Sequence, residues 1–92
     1  MRVVWDPSKA GANLLKHGVR FSDAEGVLFD TLALTREDVT SAGERRFVSI
    51  GADHTGRVVV VVYAQRRDSC RLISARRATR KERFRYEEGV RF

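Results

Sequence analysis

Apolar positions along this chain fall into short runs and stripes, and the densest is the unbroken Val58 to Val62. Five successive β-branched side chains are stiff at χ1 and apolar on both sides, which predicts a strand buried on both faces in the middle of a sheet. Arg66-Arg67-Asp68-Ser69 interrupts the run with charge before Leu72 and Ile73 resume it, which predicts two neighbouring antiparallel strands and a short loop. Arg45 to Ile50 alternates, with Arg46, Val48 and Ile50 on one side and Arg45, Phe47 and Ser49 on the other. The turn Asp53-His54-Thr55-Gly56 hands that strand to the valines. Phe29 to Leu34 alternates more weakly and predicts a further strand, with Arg36 to Gly43 a polar loop.

Helical spacing appears on either side of these strands. After a short apolar strand, Arg2 to Trp5, Asp6 is placed to cap a helix whose first position is Pro7, running to about His17 with Gly18 as the stop. Ala10, Leu14 and His17 fall on one stripe of that helix with Leu15 beside them, while Lys9, Asn13 and Lys16 share another face. Ser22 and Glu25 have capping-box spacing and predict a second short helix burying Ala24, Val27 and Leu28. Thr79 and Glu82 repeat that spacing before a terminal helix, Lys81 to Glu88, stopped near Gly89. Its strong apolar members are Phe84 and Tyr86, which predicts a loosely held element. The sum is an α+β fold: a small antiparallel sheet with two N-terminal helices and a C-terminal helix, the helices on one face and the other left for function.

At 92 residues and 42% hydrophobic content, residues 1–92 are expected to form one domain with one core. No stretch approaches the length of a membrane span and the start lacks the apolar centre of a signal peptide, so a soluble cytoplasmic protein is expected. The single cysteine, Cys70, beside a buried strand, reads as a packed thiol. Charge changes the picture more. The net charge is +6, and from Arg66 to Arg85 nine cations face only Asp68 and Glu82. A polyanionic partner fits that excess, and arginine's planar fork suits phosphate; a merely solvated surface is the plain alternative.

Several chemistries have little support. His17 and His54 lie on a helix end and in a turn without ligand spacing, so no metal is expected, and the singly placed glycines form no phosphate loop; no cofactor is expected. Metal-free RNA cleavage asks for less. The ribose 2′-hydroxyl already sits beside the phosphorus, so the protein need only orient it, move two protons and stabilise charge on phosphate oxygens. Lys16, His17, Glu82 and Tyr86 are the candidates for proton transfer, and each has an ordinary role as well: Lys16 a solvated charge, His17 a cation at a helix C-terminus, Glu82 the capping partner of Thr79, Tyr86 an anchor for the last helix. Arg76 shares a side with Leu72 and Ser74 and is the candidate for phosphate, while Arg77, on the other side, goes to backbone or partner binding. Arg46, Arg66, Arg67, Arg80 and Arg83 complete the candidate RNA-binding surface; Arg46 alternatively guards an edge strand.

WDPSKAGANLLKHGVRF (Trp5 to Phe21), GERRFVSIG (Gly43 to Gly51) and LISARRATRKERFRYEEG (Leu72 to Gly89), taken in that order, resemble the BrnT family of bacterial toxins. The resemblance implies a ribonuclease toxin of RelE-like fold in a type II toxin-antitoxin pair, with an extra N-terminal helix pair matching Asp6 to His17 and Ser22 to Phe29. It implies a BrnA-like, DNA-binding antitoxin as partner, which sequesters the toxin, so that operator DNA is reached only through that antitoxin. By motif it carries over Lys16 and His17 from KHG, Arg76 from SAR, and Glu82 and Tyr86 from the terminal helix. The competing readings are a non-catalytic nucleic-acid-binding module, and a basic face that exists for an acidic partner segment.

Overall fold

In the computed structural model, which describes residues 1–39 and 43–91, the chain forms β1 (Arg2–Val4), α1 (Pro7–His17), α2 (Phe21–Ala24), a 3₁₀ helix (Glu25–Phe29), β2 (Leu34–Asp38), β3 (Arg46–Ala52), β4 (Val58–Gln65), β5 (Ser69–Arg77) and α3 (Arg80–Glu88). The five strands make one sheet in the order β1-β5-β4-β3-β2, so the valine strand is central, as its composition predicts. The sheet is mixed. β2 to β5 pair antiparallel, but β1 runs parallel to β5, matching Arg2 with Ser69 and Val4 with Arg71.

Val59, Val60 and Val61 are all buried, on alternating faces, and burying such a side chain is worth roughly 1.5–3 kcal/mol. On one face Val59, Val61 and Tyr63 pack with Leu72 and Ala75 of β5 against Val19, Phe21, Ala24 and Val27 from the N-terminal segments. Cys70 belongs to this cluster, and burial pushes its thiol pKa up. On the opposite face Val48, Ile50 and Val60 meet Ala78 and Tyr86. The helices therefore do not share one face. α3 crosses to the other side, because a strand apolar on both sides needs cover on both.

Local chemistry sets most boundaries. The Asp6 carboxylate accepts the Ser8 N–H at 2.9 Å to open α1 behind Pro7, and Gly18, at φ 70°, closes it. At α3 the predicted capping box is complete: the Glu82 N–H donates to the Thr79 hydroxyl at 3.2 Å and the Thr79 N–H to the Glu82 carboxylate at 2.8 Å. Ser22 caps nothing. α2 begins at Phe21, whose burial fixes the chain there, and runs straight into the 3₁₀ helix. Residues 29–33 are helix end and turn rather than strand; β2 lies further on and takes in Arg36, Glu37 and Asp38, where a loop was expected. Of that expected loop, Thr40, Ser41 and Ala42 lie outside the described residues.

Two expectations about orientation also fail. Leu15 on α1 is 91% exposed, and it is Asn13 that turns inward, to 7%. Beyond Arg71, β5 has no neighbouring strand on its β1 side, and the Asn13 amide fills the gap: it accepts the Ala75 N–H at 3.0 Å and donates to the Ala75 carbonyl at 2.8 Å and the Val19 carbonyl at 3.0 Å. On β5 itself, Val62 pairs with Ser74 and Tyr63 with Leu72, so Ile73 is an extra residue in the ladder. This bulge sends Leu72 to the opposite side from Ser74 and Arg76 and leaves those two together.

Asn13→Ala strips three buried backbone groups of their partner and is expected to lower stability by about 2–3 kcal/mol. Leu15→Ala, on the exposed side of the same helix, is expected to change it by less than about 0.5 kcal/mol. Urea unfolding of the two variants measures both.

Candidate active site

The sheet face under α3 is built from three rows that the strand register defines: Arg46, Ala64 and Arg71; Val48, Val62 and Ser74; Ile50, Val60 and Arg76. Tyr86 and Ala78 lie over the apolar part of this face, and the far row keeps its arginines partly open, Arg46 at 39% and Arg71 at 24% side-chain exposure. Val58, Val60 and Val62 supply the floor, and the arginines stand at its ends.

Arg76 leaves β5 towards α3 and meets Glu82 through a two-point contact, Nη1 to Oε1 at 2.8 Å and Nη2 to Oε2 at 2.9 Å. The capping box explains why Glu82 is there: Thr79 starts α3 and Glu82 is the third residue inside it. The Arg76 guanidinium, with the Thr79 N–H, draws the Glu82 carboxyl down to about 2 against burial, and Glu82 holds Arg76 charged. Nη1 also donates to the Arg77 carbonyl at 3.3 Å. Of the five donors of Arg76, the Nε–H and the neighbouring Nη2–H are left uncommitted among the described residues, and these two form one edge of the guanidinium.

Tyr86 is drawn elsewhere. Its hydroxyl donates to Asp30 Oδ2 at 2.6 Å, and that bond, with burial, pushes its pKa up to about 12. Burial works to raise Asp30, but donation from the Ala52 N–H, the Tyr86 hydroxyl and the Leu32 N–H outweighs it and leaves the carboxyl below its ordinary value. Asp30 escapes a sequence reading because, Leu32 apart, its partners lie 22 and 56 residues away; only its position after a helix end could have drawn notice.

Lys16 and His17 lie on a different border of the sheet. They line a groove of ≈ 300 Å³ between the end of α1 and the free edge of β5, with Asn13, Ile73 and Ser74. Ser74 also shares its side of β5 with Arg76, so the border of the groove and the Arg76–Glu82 pair lie two residues apart on that strand. The structure thus brings Lys16 with His17, and Arg76 with Glu82, on two sides of Ser74.

The remaining candidate arginines divide in two. Arg46 and Arg66 approach Glu44, at 3.2 and 3.8 Å, together with Arg71 at 2.8 Å. Arg67, Arg77, Arg80 and Arg83 are exposed and form no side-chain ion pair among the described residues. Arg77 pairs with Val59 and so faces away from Arg76. Glu44 and Arg71 were not singled out by the sequence, since nothing local to either announces the other 27 residues away. Among the described residues, no group of three or more His, Cys, Asp or Glu is arranged to hold a metal ion, and no helix is long and apolar enough to cross a membrane.

Comparison with known proteins agrees with this architecture. The family described as "Ribonuclease toxin, BrnT, of type II toxin-antitoxin system" matches residues 5–82. The crystal structure of the Brucella abortus ribonuclease toxin BrnT superposes with a TM-score of 0.64 at 26% identity, covering 87% of this chain and 99% of that one. No curated protein matches the chain.

A folded-state pKa of about 2 for Glu82, below its ordinary 4.5, means the Arg76 pair contributes its full stability above pH 4.5 and loses it as pH falls through about 2. Discounted for the solvent the pair still meets, that contribution is about 1–2 kcal/mol. Glu82→Gln is therefore expected to be less stable than the parent at neutral pH by about that amount, with the difference closing in acid; unfolding curves across the acid range measure it.

Proposed function

The chain belongs to the BrnT family of ribonuclease toxins of type II toxin-antitoxin systems, and from that premise we propose a metal-independent endoribonuclease in which Arg76 stabilises the reacting phosphate. The 2′-hydroxyl oxygen attacks the adjacent phosphorus as its proton leaves, the bond from phosphorus to the 5′-oxygen breaks, and that oxygen takes up a proton. The products are a 2′,3′-cyclic phosphate and a 5′-hydroxyl. The observation that carries this reading is the state of the Arg76 guanidinium: two nitrogens held by Glu82, one whole donor edge still unspent. An arginine fixed before substrate arrives loses little on binding and needs no reorganisation as charge develops on the phosphate oxygens.

In this mechanism Lys16 and His17 move the protons, reaching the phosphate past Ser74 from the groove beside β5. Glu82 is a positioning residue for Arg76. A carboxyl held near 2 is a weak base, and its oxygens are already engaged. Tyr86, neutral and donating to Asp30, anchors α3 over the sheet. Arg67, Arg77, Arg80 and Arg83 contribute a positive field and backbone contacts that raise the local concentration of RNA.

A type II toxin has an antitoxin partner. Here it is a BrnA-like, DNA-binding protein that covers the basic rim and links the toxin to operator DNA; the free toxin acts on RNA in the cytoplasm and inhibits translation. The same surface that attracts RNA attracts acidic side chains, so blockade by occupation of that rim is the economical mode of control.

Arg76→Ala is expected to lower cleavage of single-stranded RNA by about 100-fold or more while weakening RNA binding by no more than about 3-fold. Arg76→Lys, which keeps the charge but not the two-donor edge, is expected to remain folded and to lose most of the activity. Mapping new RNA ends and measuring affinity on the same preparations separates the possibilities. Equal small losses in cleavage and binding would favour a non-catalytic nucleic-acid-binding module.

A further inference from the structure

At the end of the sheet face furthest from Arg76, three arginines from three elements converge on one carboxylate. Arg71 Nη2 donates to both oxygens of Glu44, at 2.9 and 2.8 Å; Arg46 Nη2 donates to Oε2 at 3.2 Å; Arg66 Nη2 lies 3.8 Å from Oε1. These hydrogen bonds from Arg71 and Arg46 hold the Glu44 carboxyl below its ordinary value. Yet the fit is incomplete. The Nε–H groups of Arg46 and Arg71 are buried and have no acceptor among the described residues. Elsewhere in the same sheet the complete arrangement exists: Arg45 donates to Glu37 through both Nε and Nη2, each at 3.2 Å. Glu44 uses half of each guanidinium edge, and two buried donors without acceptors are costly.

We propose that Arg46, Arg66 and Arg71 form a second phosphate-binding site for the RNA backbone, which Glu44 occupies in the free protein and vacates when RNA arrives. The proposal rests on the ribonuclease reading for the identity of its ligand. A tetrahedral phosphodiester presents oxygens in more directions than a flat carboxylate and so reaches donors that Glu44 leaves unmet. The occupant is also built to leave. Glu44 precedes β3 and follows Gly43, whose φ of 92° lies in the left-handed region, so it stands outside the strand pairing and its departure would leave the ladder intact. Arg46 and Arg71 are directly aligned through Ala64, on the same side as Arg76 and four strand residues from its row, about 13 Å at 3.3 Å per residue. A strand of RNA crossing the open face would meet both sites.

The test measures binding of a single-stranded RNA oligonucleotide carrying 2′-O-methyl groups, which attack by the 2′-hydroxyl cannot cut, as a function of salt. Glu44→Gln is expected to bind about 5–10-fold more tightly, with a salt slope steeper by roughly 0.7, the value for one further phosphate on a single strand. Glu37→Gln, which frees an arginine by the same loss of charge, is expected to gain less than about 2-fold, and adding Arg71→Ala is expected to cancel the Glu44→Gln gain. Should Glu44→Gln fail to fold, Glu44→Asp, whose shorter carboxylate cannot reach all three arginines, is read in its place. An unchanged affinity, or equal gains from Glu44→Gln and Glu37→Gln, overturns the proposal, as does a gain seen with an acidic peptide and not with RNA. If unmodified RNA is still cut in an Arg76-dependent way, such a result removes this site alone; if cleavage fails while the gain persists, the site stands without the nuclease.

Discussion

The central valine strand has to be dry on both sides, and the rest of the molecule follows from meeting that demand. The segments before β2 cover one face with Val19, Phe21, Ala24 and Val27. The other face falls to α3, which has little apolar surface to offer: Phe84 points to solvent and Tyr86 does the packing. Cover on that side therefore stops part of the way along the strands. What remains is an open half-face with an apolar floor and arginines at both ends. The constraint that folds the chain is the one that leaves it a surface on which a charged polymer can lie.

The arginines on that surface are of two kinds. Arg76 and Arg71 are held in place by carboxylates, Glu82 and Glu44, which fix the direction of their donors before any ligand arrives. Arg67, Arg80 and Arg83, with Arg77 turned to the opposite face, project from a loop, the first turn of a helix and a strand end, and offer charge with no carboxylate paired to it among the described residues. The division matters for control. Contacts made by the held group depend on geometry as well as charge, whereas the attraction exerted by the exposed group is charge alone and fades as ions screen it.

What could be read from the sequence is what depends on near neighbours. Five valines announce a central strand; Asp6-Pro7, Thr79 with Glu82, and the stops at Gly18 and Gly89 mark helix ends to within a residue, because a cap is made by groups three or four positions apart. The same logic misplaced Ser22, since the buried Phe21 decides where α2 begins. Periodicity read the half-buried stripe of Ala10, Leu14 and His17 on α1 but misplaced its neighbours: it ranks Leu15 above Asn13, but an amide that satisfies three backbone groups is worth more inside than a leucine. The bulge at Ile73 has no local signature, and it alone decides that Leu72 parts company with Arg76. Of the candidate residues, Arg76 with Glu82, six apart, lay close enough to suspect, while the Glu44 cluster and the Tyr86 to Asp30 bond join elements that meet only in the folded chain.

The parallel pairing of β1 with β5 ties the first residues to a strand that begins 67 positions later, and the Asn13 amide repeats the tie over 62. Neither can form while β5 is still inside the ribosome. Loops of this length close slowly, and sheets built from such distant pairings belong to the slower folders. The emerging chain thus gains its sheet edge, its α1 anchor and Arg76 from a single late-arriving segment. A nascent or truncated toxin without β5 in place is not a weakened version of the finished one; it lacks together the stitch that closes the fold and the arginine on which the proposed chemistry turns.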